Sequence, residues 1–280
     1  MQNNITLQDK LQEARTAGYS LLATNFYNYE TLRGILEAAA SLEQPIILQL
    51  TKSSIDYMGL QVSVKMARAA LKQWGVAGWL HLDHSESYEL VAECLDAGFD
   101  SVMIDASEKP VEDNIAITKK VVDLARSYNA NVEAELGYIA KSGQSKEKPG
   151  FTEPEEAARF VNETGIDALA VAIGSAHGFY KETPKLDLER LSAIHRITNT
   201  ALVLHGGSGI PAHMLRKAIE RGICKINLAT EIKNVFMLQL QKSLLHNDEI
   251  DLRKVFPPAI NAVTALVKEK LAIVGVGVVS

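Results

Sequence analysis

The sequence predicts an α/β protein of the (β/α)8 TIM-barrel class, a single domain over residues 1–280 with extra helices at its C-terminal end. Three observations lead there. Eight apolar runs of strand length recur at intervals of roughly 20 to 35 residues. Segments with helical spacing lie between them. The side chains able to do chemistry fall at or just past the C-terminal ends of the runs, and a closed barrel gathers all those ends at one mouth. The runner-up, an open doubly wound sheet, would spread them along a crevice.

In chain order, a helix over Thr6–Ala17 ends at Gly18, and the strands follow as Ser20–Thr24, Pro45–Leu50, Gly78–Asp83, Asp100–Asp105, Asn131–Leu136, Asp167–Ile173, Ala201–Leu204 and Lys225–Leu228. In Ser87–Ala97 the residues Tyr88, Val91, Cys94 and Leu95 line one helical face. Pro211–Arg221 opens on proline and stops at Gly222, the usual start and stop pair of a helix. Helices over Ile232–Leu245 and Pro257–Leu271 pack outside the barrel. The polar stretch Ala140–Gly150 reads as a mobile loop over the mouth. The apolar end, Ile273–Ser280, reads as a docked segment or a frayed tail.

Composition narrows the function. A net charge of −5 without a basic run speaks against nucleic acid or an anionic membrane as partner. The start is polar, with no signal-peptide pattern, and no apolar stretch reaches the ~18 residues of a membrane span. A soluble, cytoplasmic protein is expected. Cys94 and Cys224 lie inside apolar segments and read as buried structural thiols.

The run Gly78–Asp83 ends in Asp83 and His84, where a turn lets one side chain hold a metal while the other faces a substrate. His177 follows the sixth run and His205 the seventh, each beside glycine. Three neutral imidazoles with an open fourth position make a catalytic zinc site able to polarise a carbonyl. The alternative for any one of them is a hydrogen-bonded core histidine. His81, His195, His213 and His246 read as structural or surface residues.

Asp83 is the natural general acid/base, with orientation of a histidine as its other reading. Asp105 and Glu135 are placed to hold a second cation or to orient the ligands. Glu133 shares one side of its strand with Glu135, and if that side faces the interior both carboxylates need cationic or hydrogen-bonding partners. The loops Gly206-Gly207-Ser208-Gly209 and Asn227-Leu228-Ala229-Thr230 each lead into a helix, so backbone N–H groups point outward at the usual phosphate position of a barrel. Lys181 is near enough in sequence to reach the same phosphate from the sixth strand. No lysine stands at a strand's C-terminal end for Schiff-base chemistry, since Lys225 opens its run.

Leu82-Asp83-His84, Asn131–Gly137, Gly174–Gly178, His205–Gly209 and Lys225–Glu231, taken as a set in this order, resemble the class II, zinc-dependent ketose-bisphosphate aldolases over nearly the whole chain. Within that family the sequence is most similar to the fructose- and tagatose-1,6-bisphosphate aldolases of the shorter bacterial type. The resemblance implies zinc on His84, His177 and His205, with Asp83 moving protons. It implies a second divalent-ion position at Asp105 and Glu135, as in some members. Gly178, Gly206 to Ser208 and Asn227 to Thr230 would bind dihydroxyacetone phosphate, assisted by a monovalent cation (Na+ or K+). Thr51 would meet the aldehyde half, and Lys233 would reach the distal phosphate of a neighbouring subunit in a homodimer or homotetramer. Ser85, Ser175 and Thr51-Lys52-Ser53 depart from the commoner family residues, and Lys52 bears on the charge of the aldehyde partner. The expected reaction is reversible cleavage of fructose or tagatose 1,6-bisphosphate. The alternatives are another ketose 1-phosphate with a different aldehyde and, from another class, a zinc hydrolase of a phosphorylated substrate.

Overall fold

Thr6 starts the first helix, α1 (Leu7–Ala17): its hydroxyl accepts a hydrogen bond from the Asp9 N–H, and Gly18 ends the helix in the left-handed conformation, φ 73°. The apolar face of α1, Leu7, Leu11 and Ala14, packs against Leu21, Ile47, Trp79, Val203 and Cys224. One end of the protein is closed in this way. The computed structural model describes residues 5–141, 150–245 and 247–275, with the side chains of 140 and 141 left aside. His246, most of the stretch expected to be a mobile loop and most of the apolar C-terminal end lie outside the described residues.

The eight expected runs are all strands. They are β1 (Leu21–Asn25), β2 (Ile46–Leu50), β3 (Gly78–Leu82), β4 (Ser101–Ile104), β5 (Asn131–Leu136), β7 (Ala168–Val171), β9 (Ala201–Leu204) and β10 (Ile223–Leu228). Each pairs in parallel with the next, and β10 pairs with β1, closing the barrel. A separate parallel pair joins β6 (Ala140–Lys141), which follows β5, to β8 (Ala176–His177), which follows β7.

Helices α2 (Tyr29–Ser41), α4 (Leu60–Trp74), α5 (Tyr88–Ala97), α6 (Val111–Arg126), α7 (Pro154–Thr164), α8 (Leu188–Ile197), α9 (Ala212–Glu220) and α10 (Thr230–Leu244) surround the barrel. Their apolar faces and the outward side chains of the strands form one large core. Short α3 (Lys52–Met58) and α11 (Leu252–Val255) were not evident from the sequence pattern. The C-terminal α12 (Pro257–Val274) packs between α2 and α10. It comes so close to α2 that a β-carbon on Gly34 would meet Val263 Cβ at 2.8 Å.

The barrel interior is apolar near α1 and polar towards the opposite end. Gln49, His81, Ser101, Glu133 and Lys225 are all 0% exposed. Lys225 stands inside β10, whose first residue is Ile223 and not Lys225 as the apolar pattern suggests. Its bond to Glu133 on β5, a strand that is not its neighbour, crosses the barrel interior.

Candidate active site

At the C-terminal end of β3 the chain turns at His84, whose φ of 53° lies in the left-handed region. For a residue with a β-carbon this conformation costs about 1–3 kcal/mol and persists where surrounding structure enforces it. The turn separates two neighbouring side chains. The Asp83 carboxylate is buried and accepts hydrogen bonds from Asn25 Nδ2 at 2.8 Å and Asn227 Nδ2 at 3.4 Å. The His84 ring goes to the mouth, where its Nδ1 meets Asp105 Oδ2 at 2.8 Å.

Asp105 accepts further bonds from Ser107 N and Oγ at 3.1 and 2.8 Å. Burial raises the pKa of Asp105, but the His84 hydrogen bond and charge outweigh it and hold the group well below the usual carboxylate range. Asp105 is therefore ionised, and His84 Nδ1–H is the donor. His205 Nε2 meets Glu133 Oε1 at 2.8 Å, and a carboxylate, which only accepts, calls for the Nε2–H tautomer there. What remains is His84 Nε2 facing His205 Nδ1 at 3.0 Å, two ring nitrogens with no hydrogen of their own to share. A proton or a metal cation has to stand between them. Burial disfavours the imidazolium of His84, yet the Asp105 hydrogen bond and the charges of Asp83 and Glu135 outweigh it and raise its pKa to about 9. Burial and the charge of His84 push His205 well below the ordinary histidine value.

His177 completes the cluster from β8, its ring centroid 5.0 Å from that of His84 and 5.7 Å from that of His205. Glu135 Oε2 is buried, has no hydrogen-bond partner among the described residues and lies 3.6 Å from His205 Nδ1. One atom from each of His84, Glu135, His177 and His205 lies within 4.8 Å of the others. Three imidazoles and a carboxylate, with an orphaned buried oxygen among them, fit a divalent ion of the zinc type. Asp105 stands outside this group, behind His84. Burial, then the charge of Asp105, pushes Glu135 up to about 8. Burial likewise pushes Asp83 up, but the charges of His84 and His205 bring it below its ordinary value.

The expected phosphate loops lie beside this cluster. Gly206 has φ 68°, and a β-carbon there would meet the Ala176 carbonyl oxygen at 2.2 Å. Gly207 N donates to the Asn227 carbonyl at 3.0 Å, so the two loops are joined directly. Ser208 Oγ accepts from Glu231 N at 3.3 Å in the first turn of α10, which has no side-chain cap at Ala229. Gly178 has φ 97°. Tyr180, which sequence reasoning missed, ties the loops: its hydroxyl accepts from Ala176 N and donates to the Gly206 carbonyl, both at 2.8 Å. Asn25 was missed as well.

Of the remaining expected residues, Thr51 caps α3 and accepts from Ser54 N at 3.3 Å. Lys181 is exposed. Lys233 lies over the Tyr27 ring of its own chain, 5.3 Å from the centroid. A cavity of about 850 Å³ opens beside His84, Asp105, Glu135 and His177 and reaches Lys52 and Lys109, room enough for a sugar phosphate. Cavities of about 550 and 750 Å³ at the opposite end, around Trp79, include none of these residues.

The sequence profile of the family Fructose-bisphosphate aldolase class-II matches residues 5–277. The chain belongs to that family. As a class II aldolase it is a carbon–carbon lyase. Solved structures repeat its architecture. The YdjI aldolase from Escherichia coli K12 is 28% identical, with a TM-score of 0.86 over 98% of this chain and 97% of that one. A candidate fructose-1,6-bisphosphate aldolase from Coccidioides immitis is 29% identical, with a TM-score of 0.87 over 97% and 96%. A fructose-bisphosphate aldolase from Campylobacter jejuni, 20% identical, shares the fold at a TM-score of 0.82 over 96% and 95%. Class II aldolases are generally zinc-dependent, and the His/Glu cluster of this aldolase is of the kind that requires.

Proposed function

We propose that this aldolase reversibly cleaves a ketose 1,6-bisphosphate, fructose or tagatose, to dihydroxyacetone phosphate and glyceraldehyde 3-phosphate. The convergence of His84, His177 and His205 beside the buried carboxylate of Asp83 carries the reading. His84, His177 and His205 would hold zinc. When bound, zinc supplies a Lewis acid that polarises the ketose carbonyl and stabilises the enediolate left by cleavage.

The protein's own side chains do the rest. Asp83 takes the proton from the C4 hydroxyl as the C3–C4 bond breaks and returns it in condensation. Asn25 and Asn227 fix its carboxylate for that transfer. Gly206 to Ser208, Asn227 to Thr230 and the start of α10 bind the phosphate of the three-carbon half, with Gly178 and Lys181 joining from the β8 loop. Remote binding energy thereby holds the reacting carbons in register. Asp105 orients His84, and with Glu135 it offers a position for a second divalent ion; a monovalent cation, Na+ or K+, would sit between the Gly178 and Asn227 loops. Thr51 faces the aldehyde half.

Lys233 would serve the distal phosphate of a second subunit in a homodimer or homotetramer. Exposed Met237, Leu238 and Leu244 on the same helix, with Leu245 just beyond it, support an association surface. No nucleic acid or membrane enters the scheme, and no described helix is long and apolar enough to cross a bilayer. Both cysteines are free and buried, which suits the cytoplasm.

The test is condensation of dihydroxyacetone phosphate with a panel of aldehydes by the purified chain, followed by product stereochemistry. Activity should vanish in EDTA, return with zinc, and leave no borohydride-trapped adduct. Full activity in chelator, or no condensation with any aldehyde, would overturn the reading.

A further inference from the structure

Beneath the ligand cluster lies a group of side chains that the reaction does not use. Lys225 Nζ donates to Glu133 Oε2 at 2.7 Å and lies 3.5 Å from His81 Nε2. His81 Nδ1 meets Ser101 Oγ at 2.6 Å, and Ser101 Oγ also accepts from Asn131 Nδ2 at 2.9 Å. All five residues are 0% exposed. The interior of a barrel is ordinarily filled by branched apolar side chains. Two well-packed apolar residues in place of a buried ion pair are often neutral or stabilising, so stability alone gives no reason for Lys225 and Glu133 to be there.

Geometry supplies a reason. The two oxygens of Glu133 divide their work, Oε2 on Lys225 and Oε1 on His205 Nε2 at 2.8 Å. A neutral imidazole has two tautomers, and the one present is set by the bond its other nitrogen makes. Here the carboxylate selects Nε2–H. The opposite nitrogen, Nδ1, is then the one turned to His84 Nε2, 3.0 Å away. Lys225 fixes the rotamer that brings Oε1 to His205, while His81, itself held by Ser101, borders the ammonium on its other side. With Nζ enclosed in this way, Lys225 is not presented to a substrate carbonyl.

We infer that Lys225 and Glu133 are a positioning pair for the metal ligand His205, setting its tautomer and ring orientation from inside the barrel. Partners that orient a ligating histidine typically change metal affinity by about 10–100-fold when removed. The inference rests on His205 being a zinc ligand, as proposed above.

The experiment uses the metal-stripped full chain, as wild type, Glu133→Leu, Lys225→Met and the double variant. Zinc affinity is read by competition with a chromophoric chelator, ligand geometry by the visible bands of the Co2+ form, and folding by circular dichroism. Glu133→Leu and the double variant should bind zinc about 10–100-fold more weakly with displaced Co2+ bands, and Lys225→Met should follow in the same direction. A folded double variant with wild-type affinity and wild-type bands would overturn the inference. Removal of one partner can leave a buried charge that prevents folding. The tautomer is therefore also read in the metal-free wild type, from histidine 15N shifts assigned through His205→Gln. Nε2–H on His205 is expected, and Nδ1–H would sink the idea with no folded variant needed. Wild-type protein that binds no zinc at all counts against the proposed function instead, which keeps the two failures apart.

Discussion

Asp105 accepts the Nδ1 proton of His84 at 2.8 Å, and His84 therefore offers Nε2 to the cluster. Replacing the carboxylate frees the ring to take its other tautomer or to rotate away. Asp105→Ala should weaken zinc binding by about 10–100-fold, measured by chelator competition on the metal-stripped protein. An unchanged affinity would mean that the strand-end turn at His84 orients the ring without help.

Metal uptake should depend steeply on pH. In the metal-free protein, burial lowers the pKa of His84, but the Asp105 hydrogen bond and the charges of Asp83 and Glu135 raise it to about 9 overall. Burial and then Asp105 push Glu135 up to about 8. Each group must lose its proton before it can ligate. Zinc affinity should thus rise with pH by about tenfold per unit for each proton displaced and level off above about pH 9. Calorimetry in buffers of different ionisation enthalpy counts the protons released. A flat affinity between pH 6 and 9 would contradict this account.

Asp83 has a different test, because it lies beside the ligands without joining them. Asp83→Asn keeps the size of the side chain and removes the site for the proton. Turnover should fall by about 10²–10⁴-fold, the usual contribution of general acid–base catalysis. Zinc content and the KM for the ketose phosphate should change little. A kcat within tenfold of wild type would pass the proton transfer to another group.

How far the sequence could be read follows from how local each signal is. All eight barrel strands stand out as mainly apolar runs, since both of their faces are buried, although β5 carries Glu133 and Glu135. The start of β10 was misplaced by two residues, at Lys225 in place of Ile223, because that strand places a charged side chain in the interior. Its partner Glu133 is 92 positions away in sequence. Short α3 and α11 have too few residues to show a period. His84, His177 and His205 were legible because each stands at a strand end beside a glycine or a carboxylate. Asn25 and Tyr180 carry no such mark. Their partners, Asp83 and Gly206, are 58 and 26 residues distant, so only the closed barrel reveals the contacts.

Tyr180 offers the sharpest check on how the loops cooperate. Its hydroxyl satisfies the Ala176 N–H and the Gly206 carbonyl at 2.8 Å each, joining the strand that carries His177 to the loop expected to hold phosphate. Gly206 cannot shift towards Ala176 to compensate, because the two backbones are already in close approach. Tyr180→Phe keeps the ring and removes the hydroxyl that pairs with both backbone groups, at a cost of about 1–3 kcal/mol. The melting temperature should fall by roughly 2–10 °C for a chain of this size. If the bridge also sets the loop for its ligand, KM for dihydroxyacetone phosphate should rise about tenfold, the equivalent of ~1.4 kcal/mol, while bound zinc stays stoichiometric. A lower melting temperature with unchanged KM would show that Tyr180 serves the fold alone and that Gly206 to Ser208 hold their shape through the Gly207 to Asn227 bond.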